Sequence, residues 1–280
     1  MTDLAILACY AHPDDEQGIT GTLALCAEQG IRTALLCATR GELGEISDPA
    51  LATPETLGAV REQELRNAAA IAHIAQVWFL DYRDSGMAGT DGNQDPHAFV
   101  NADPAEAIGA IVRVIREWKP QVIVTFDESG AYGHPDHIAI CHWTTAAFHA
   151  AGDPGQFPDA GPAWSPARLF YSSIPRSGIR RMREFLGPEN IQRSAFRDTD
   201  PEKMGMPDEM ITHMVDAERM FDIKLASLRC HATQFTENAA FARIPPELMR
   251  AWRSKEPFAL VAGTPVPPDS DKGDLFAGLR

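Results

Sequence analysis

The chain has 280 residues, of which 44% are hydrophobic and 23% charged, enough apolar content for a full core. A net charge of −14 argues against nucleic acid or an anionic membrane surface as partner and leaves a small neutral substrate open. No run approaches the ~20 apolar residues of a membrane span, and Met1-Thr2-Asp3 leads into an apolar run without the basic stretch of a secretory leader.

The first half alternates strand and helix. Leu4–Tyr10 is a continuous apolar run, short enough for a buried parallel strand. Asp15–Gln29 reads as a helix stopped by Gly30, and Arg32–Ala38 as a second strand. Thr53-Pro54-Glu55 predicts a helix start, with Thr as cap and Pro first in the helix, running to about Ala72. Val77–Leu80 is a third strand. Asp103-Pro104-Ala105-Glu106 is a capping box, and Ile108, Ile111, Val112 and Ile115 follow at helical spacing. Lys119-Pro120 ends that helix, Val122–Phe126 is the fourth strand, and His137–Ala150 is helical. Four βα units in a row predict an α/β fold, a Rossmann-like, mostly parallel sheet with helices on both faces.

After Ala150 the texture changes. Gly152–Pro166 reads as a loop and Arg168–Ser173 as a strand, whereas Gly178–Asp200 is charged and fits neither pattern. Met210–Val215 looks extended and Ala217–His231 helical, and Pro245–Arg280 has several prolines and little regularity. The expected division is a catalytic domain over residues 1–175 and a smaller C-terminal lobe, 176–280, that shapes one wall of the site. Cys9, Cys26, Cys37, Cys141 and Cys230 are scattered, which predicts buried free thiols and a cytoplasmic location.

The chemistry concentrates in two short motifs, Ala11-His12-Pro13-Asp14-Asp15-Glu16 and Gly133-His134-Pro135-Asp136-His137. Each follows a predicted strand and opens a helix. In an open α/β sheet such loops converge on one crevice outside the carboxyl ends of the strands. His12 and Asp15, like His134 and His137, stand three apart around a proline, so both members of a pair can face one point. Together the loops can supply His, Asp and His to a divalent metal with a fourth position open, the pattern of a catalytic zinc site. The remaining carboxylates and imidazoles suit acid–base work, so the pair reads as metal-assisted hydrolysis. The first strand lacks a Gly-x-Gly-x-x-Gly turn, which argues against a dinucleotide cofactor.

Ala-His-Pro-Asp-Asp-Glu with a later Gly-His-Pro-Asp-His resembles the LmbE-like (PIG-L) family of zinc-dependent N-acetylglucosaminyl deacetylases. Gly41-Glu42-Leu43-Gly44-Glu45, Arg61-Glu62-Gln63-Glu64-Leu65, Asp81-Tyr82-Arg83-Asp84-Ser85-Gly86 and His231-Ala232-Thr233-Gln234 look like further family segments. The resemblance covers residues 4–150 well and the remainder at scattered points. It implies His12, Asp15 and His137 as metal ligands and Asp14 as the base that activates the attacking water. The residues alone do not separate Asp14 from Asp15. It further implies His134 as stabiliser of the tetrahedral intermediate or proton donor to the amine, Asp136 as the group orienting the His134 ring, and Tyr132 as polariser of the amide carbonyl. Arg61, Arg83, Glu42 and His231 are candidates for substrate contact. The expected cofactor is zinc, with iron(II) suiting the same donors. The expected substrate is a small amino sugar, deacetylated by metal-activated attack of water on its amide; family members are often oligomeric. Two alternatives stand beside this: an amidase for a larger acyl or thiol-conjugated glucosaminyl amide, and a non-catalytic sugar- or metal-binding protein on the same fold. The aglycone and the role of residues 235–280 are not legible at this level.

Overall fold

The computed structural model describes residues 3–191, 204–235 and 245–280. Strand β1 (Ala5–Tyr10) is buried along its whole length, as its unbroken apolar run requires of a strand covered on both faces. A 3-10 turn, Asp15–Gly18, leads into α1 (Thr20–Glu28), and the chain turns at Gly30 with φ 76°. Then follow β2 (Arg32–Cys37), α2 (Leu57–Ile71) and β3 (Gln76–Phe79). Helix α3 (Pro104–Trp118) starts as its capping box dictates: Asp103 Oδ1 accepts from the backbone N–H of Ala105 (2.8 Å) and Glu106 (3.1 Å). It ends on Lys119 in the left-handed region, just before Pro120. Strand β4 (Val122–Phe126), the one-turn α4 (Gly130–Gly133), α5 (Pro135–Ala150) and β5 (Arg168–Ser172) complete the parallel part. Beyond it lie α6 (Arg176–Ile191), β6 (His213–Asp216), α7 (Phe221–Leu228), α8 (Pro246–Arg253) and β7 (Lys255–Gly263).

The seven strands form one sheet in the order β3-β2-β1-β4-β5-β7-β6. The first five are parallel, and β7 runs antiparallel to both β5 and β6. This is the α/β, mostly parallel sheet expected. The chain leaves β1 toward β2 and β3, then returns to place β4 on the other side of β1. The carboxyl ends of β1 and β4 therefore bound a topological switch crevice, and each carries one of the two His-rich loops.

Two local expectations are corrected. The helix expected from Thr53 begins at Leu57, because Thr53 closes a turn instead: its carbonyl accepts from the N–H groups of Thr56 (3.0 Å) and Leu57 (2.9 Å). The stretch 245–280, expected to lack regularity, holds α8 and the nine-residue β7, which pairs with β5 and β6 inside the sheet. Residues beyond 175 thus extend the same sheet. Of the uncharacterised charged stretch 178–200, α6 accounts for the part up to 191, and the rest lies outside the described residues. All five cysteines are free thiols, four of them buried. Among the described residues no helix is long and apolar enough to cross a membrane.

Strand β7 also secures α1. The buried Glu256 carboxylate accepts from the N–H of Gly21 (3.0 Å) and Thr22 (2.6 Å) and from the Lys224 ammonium, itself 2% exposed. Glu256→Ala would leave the buried ammonium with the Arg253 carbonyl but no counter-charge, and two helix N-terminal donors without their acceptor. Urea unfolding of that variant is expected to show a loss of about 3–5 kcal/mol, with Glu256→Gln losing less because it keeps one of the two acceptor oxygens that α1 uses. Equal stability of all three proteins would refute this.

Candidate metal centre and active site

His12 follows β1 directly, and His137 stands on the first turn of α5 after β4. His134 caps α5, with Pro135 at the first helical position; its Nδ1 accepts from the Asp136 N–H at 3.2 Å. The two loops meet at the switch crevice. His12 Nδ1 lies 3.1 Å from His137 Nε2 and 3.6 Å from Asp15 Oδ2, and His137 Nε2 lies 3.3 Å from Asp15 Oδ1. All three side chains are almost wholly enclosed.

The outer nitrogens of the two rings are already engaged. His137 Nδ1 donates to the Gly130 carbonyl at 3.2 Å, and its ring stacks on Phe126 with centroids 4.1 Å apart. His12 Nε2 faces Asp136 Oδ2 at 3.2 Å and Asp84 Oδ1 at 3.5 Å, so its proton belongs there. The inner nitrogens are left pointing lone pairs at one another, and a proton or a cation must sit between them. Burial opposes a charge on His12, but Asp84, Asp136 and Asp15 outweigh it and hold its pKa well above the ordinary range. Burial likewise would raise the Asp15 carboxyl, yet His137 and His12 pull it down to about 2. The backbone N–H groups of His12 (2.8 Å) and Ala11 (3.1 Å) fix its Oδ2. A tetrahedral ion with ligand bonds near 2.0–2.2 Å has donor–donor edges of roughly 3.3–3.6 Å; the imidazole pair at 3.1 Å and the two imidazole–carboxylate separations, one to each Asp15 oxygen, at 3.6 and 3.3 Å are of that size. The donor set fits a divalent metal.

His134 lies close enough to be considered with these ligands. Donor atoms of His12, His134 and His137 fall within 4.8 Å of one another, as do those of His12, Asp84, His134 and Asp136. With Nδ1 accepting from the Asp136 N–H, the neutral His134 ring carries its proton on Nε2 and is a donor there. Burial, then His12 and His137, depress its pKa to about 3, so the ring is neutral at pH 7. Asp14 sits beside this cluster in a sparsely populated conformation for a non-glycine residue, φ 112° and ψ −21°, which costs of order 1–3 kcal/mol. Burial and the adjacent Asp15 carboxylate push its carboxyl up to about 8. The Tyr132 ring contacts that of His137 with centroids 5.0 Å apart, and burial and the carboxylates raise its phenol well above the usual value.

Several expected contacts are placed differently. The Asp136 carboxylate faces His12, where it was expected to orient His134; it is held there by the Ser85 N–H (2.9 Å) and the Ser85 hydroxyl, and only its backbone N–H reaches His134. Arg61, expected at a sugar hydroxyl, is 5% exposed. It donates to the carbonyls of Gly41 (3.1 Å) and Glu45 (3.0 Å), so a sugar hydroxyl would have to displace one of them. Glu42 accepts from the Asp84 N–H (3.1 Å), and Arg83 pairs with Asp95 at the surface (3.3 Å). His231, expected on the substrate wall, is fully enclosed and its Nε2 meets Glu16 Oε1 at 2.7 Å.

Asp84, Ser85, Glu16 and Gly130 are site residues that residue-by-residue reading missed. Asp84 and Ser85 stand inside the quoted Asp81–Gly86 segment and Glu16 closes the first motif. The signal was present as motif membership, but a role could be given only by a partner. Gly130 holds φ 61°, and a Cβ there would come within 2.8 Å of His137 Cβ, so no other residue fits without moving the ring.

Comparison with known proteins places the chain among relatives of one family. The family described as PIG-L, GlcNAc-PI de-N-acetylase, matches residues 7–148. The 1D-myo-inositol 2-acetamido-2-deoxy-alpha-D-glucopyranoside deacetylase of Geodermatophilus obscurus is 39% identical, over 98% of this chain and 97% of its own. The enzyme of the same name from Thermobispora bispora is 37% identical over the full length of both chains. The N,N'-diacetylchitobiose deacetylase of Pyrococcus horikoshii shares the fold at a TM-score of 0.65 and 18% identity, covering 92% of this chain and 83% of its own.

Proposed function

The chain belongs to the PIG-L family, and we propose that it is a metal-dependent hydrolase that removes the acetyl group from an N-acetylglucosamine-type substrate. The observation that carries this is the convergence of His12 Nδ1, His137 Nε2 and the Asp15 carboxylate within 3.1–3.6 Å. These three would hold the ion, which we take to be zinc, with iron(II) the competing occupant of two imidazoles and a carboxylate. When bound it supplies Lewis-acid polarisation of the amide carbonyl and lowers the pKa of water at the site toward ~7.

The chain's own residues then carry the protons. Asp14 takes a proton from the attacking water as its oxygen adds to the carbonyl carbon. Its carboxyl, raised above the ordinary carboxylate range by burial and Asp15, holds the proton it takes and can return it to the nitrogen as the C–N bond breaks. His134, neutral with its proton on Nε2, donates a hydrogen bond to the developing oxyanion, a preorganised contact that costs no proton transfer. Of its two expected roles, this geometry favours stabilisation over protonation of the amine. Asp136 and Asp84 orient His12, and the Gly130 carbonyl orients His137. Tyr132 stands on the rim of the same cluster, where its hydroxyl serves the carbonyl oxygen. The free thiols suit a reducing cytoplasm, where we place the protein.

The test is release of primary amine from N-acetylglucosaminides, including an inositol glycoside of the kind named for the Geodermatophilus relative, and from thiol-conjugated glucosaminyl amides. Zinc-loaded, iron-loaded and chelator-stripped protein are compared. Metal-dependent release from the acetylated sugars is the expected result. Release from the thiol conjugates alone would make the protein an amidase, and one bound metal with no turnover on any substrate would leave a binding protein.

A further inference from the structure

We propose that Glu16, His231 and Gln234 form a positioning device that clamps the peptide unit between Pro13 and Asp14 and so aims the Asp14 carboxyl. The proposal rests on the reading of Asp14 as the base. Both poles of that peptide are held. Its oxygen, Pro13 O, accepts from Gln234 Nε2 at 3.0 Å, and its nitrogen, Asp14 N, donates to Glu16 Oε2 at 3.0 Å. The other oxygen of Glu16 is locked by His231 Nε2 (2.7 Å) and Gln17 Nε2 (2.6 Å), and Glu16 and His231 are buried.

The clamp is anchored. Thr233, between its two arms, donates its N–H (2.8 Å) and hydroxyl (2.7 Å) to Glu64 on α2. The Ser47 N–H (3.0 Å) and hydroxyl (3.0 Å) hold the carbonyls of Thr233 and Ala232. Gln17 Nε2 reaches Ser227 on α7 at 2.9 Å.

Asp14 needs such a clamp because its φ of 112° lies outside the wells a non-glycine residue favours. Relief of that strain requires φ to change, and a change of φ redirects the bond to the Asp14 side chain. A flip of the Pro13–Asp14 peptide plane, which would change φ with little displacement of the flanking chain, would break both hydrogen bonds. The His-Ala-Thr-Gln segment, remote in sequence and closed off from the crevice at His231, thereby acts on the chemistry through Asp14.

The experiment compares Gln234→Ala, Glu16→Ala and Glu16→Gln in metal-loaded protein with near-ultraviolet circular dichroism to confirm folding. Gln234→Ala and Glu16→Ala are expected to lower kcat by about 10–100-fold, the scale of a misplaced reacting group, with KM and metal content unchanged. Glu16→Gln, which keeps an acceptor for Asp14 N–H, is expected to recover most of the loss. Adding Gln234→Ala to Asp14→Ala should cost nothing more, because the clamp acts through a side chain already removed. Normal kcat in Gln234→Ala, a multiplicative loss on Asp14→Ala, or loss of metal in either single variant would overturn the proposal. If Glu16→Ala fails to fold, Gln234→Ala decides alone. Near-normal turnover of Asp14→Ala would instead refute the base assignment, and is separately visible.

Discussion

Asp14→Ala is expected to retain a full equivalent of metal and lose 10²–10⁴-fold in kcat, roughly the contribution of a positioned general base. The carboxyl of Asp14 is not among the three converging donors, so its removal leaves the ligand cage complete. The pH profile supplies an independent readout. A base works ionised, so wild-type kcat rises with pH through the Asp14 titration. Burial and Asp15 push that titration toward about 8, and a bound cation moves it downward. The acidic limb due to Asp14 is expected to vanish in the variant. Retained turnover at one equivalent of metal would transfer the role of base to another group.

Removing His137 has the opposite signature. His137→Ala is expected to lose metal affinity by well over the ~10–100-fold that loss of an outer partner costs, and activity with it. Asp84→Asn and Asp136→Asn, which weaken the hold on the outer nitrogen of His12 without removing a converging donor, should fall within that 10–100-fold range. His134→Ala should keep its metal and lose turnover, because its free nitrogen is a donor. Metal titration by calorimetry with the four variants reads this directly. If His134→Ala emptied the site and His137→Ala did not, the ligand set would have to be redrawn around His134.

These two results divide the site as its sequence motifs divide. That the two loops can offer His, Asp and His to one ion was legible because loop position and i, i+3 spacing are local properties, while the choice of His12, Asp15 and His137 came from the resemblance. The separate jobs of Asp14 and Asp15 were not legible, since adjacent aspartates look alike until the backbone is built. Left-handed Asp14 and the N–H groups of Ala11 and His12 on Asp15 make the difference. Asp136 went to the wrong imidazole for the same reason: its neighbour in sequence is His134, but its neighbour across the crevice is His12.

What the sequence determined by itself is everything carried by short-range pattern. The apolar runs of β1 and β4, the capping box at Asp103 and the prolines at 104 and 135 dictate local conformation through steric and hydrogen-bonding rules within a few residues. They yielded the βα alternation, and with it the crevice where the two motifs meet. Only the tertiary structure decided what depends on contacts between distant segments. Strand β7 reads as irregular because its order comes from pairing with β5 and β6. Arg61 and His231 look like substrate contacts until their polar groups are seen enclosed against Gly41, Glu45 and Glu16. A buried polar group takes the partner that satisfies it, and that partner is chosen by the fold.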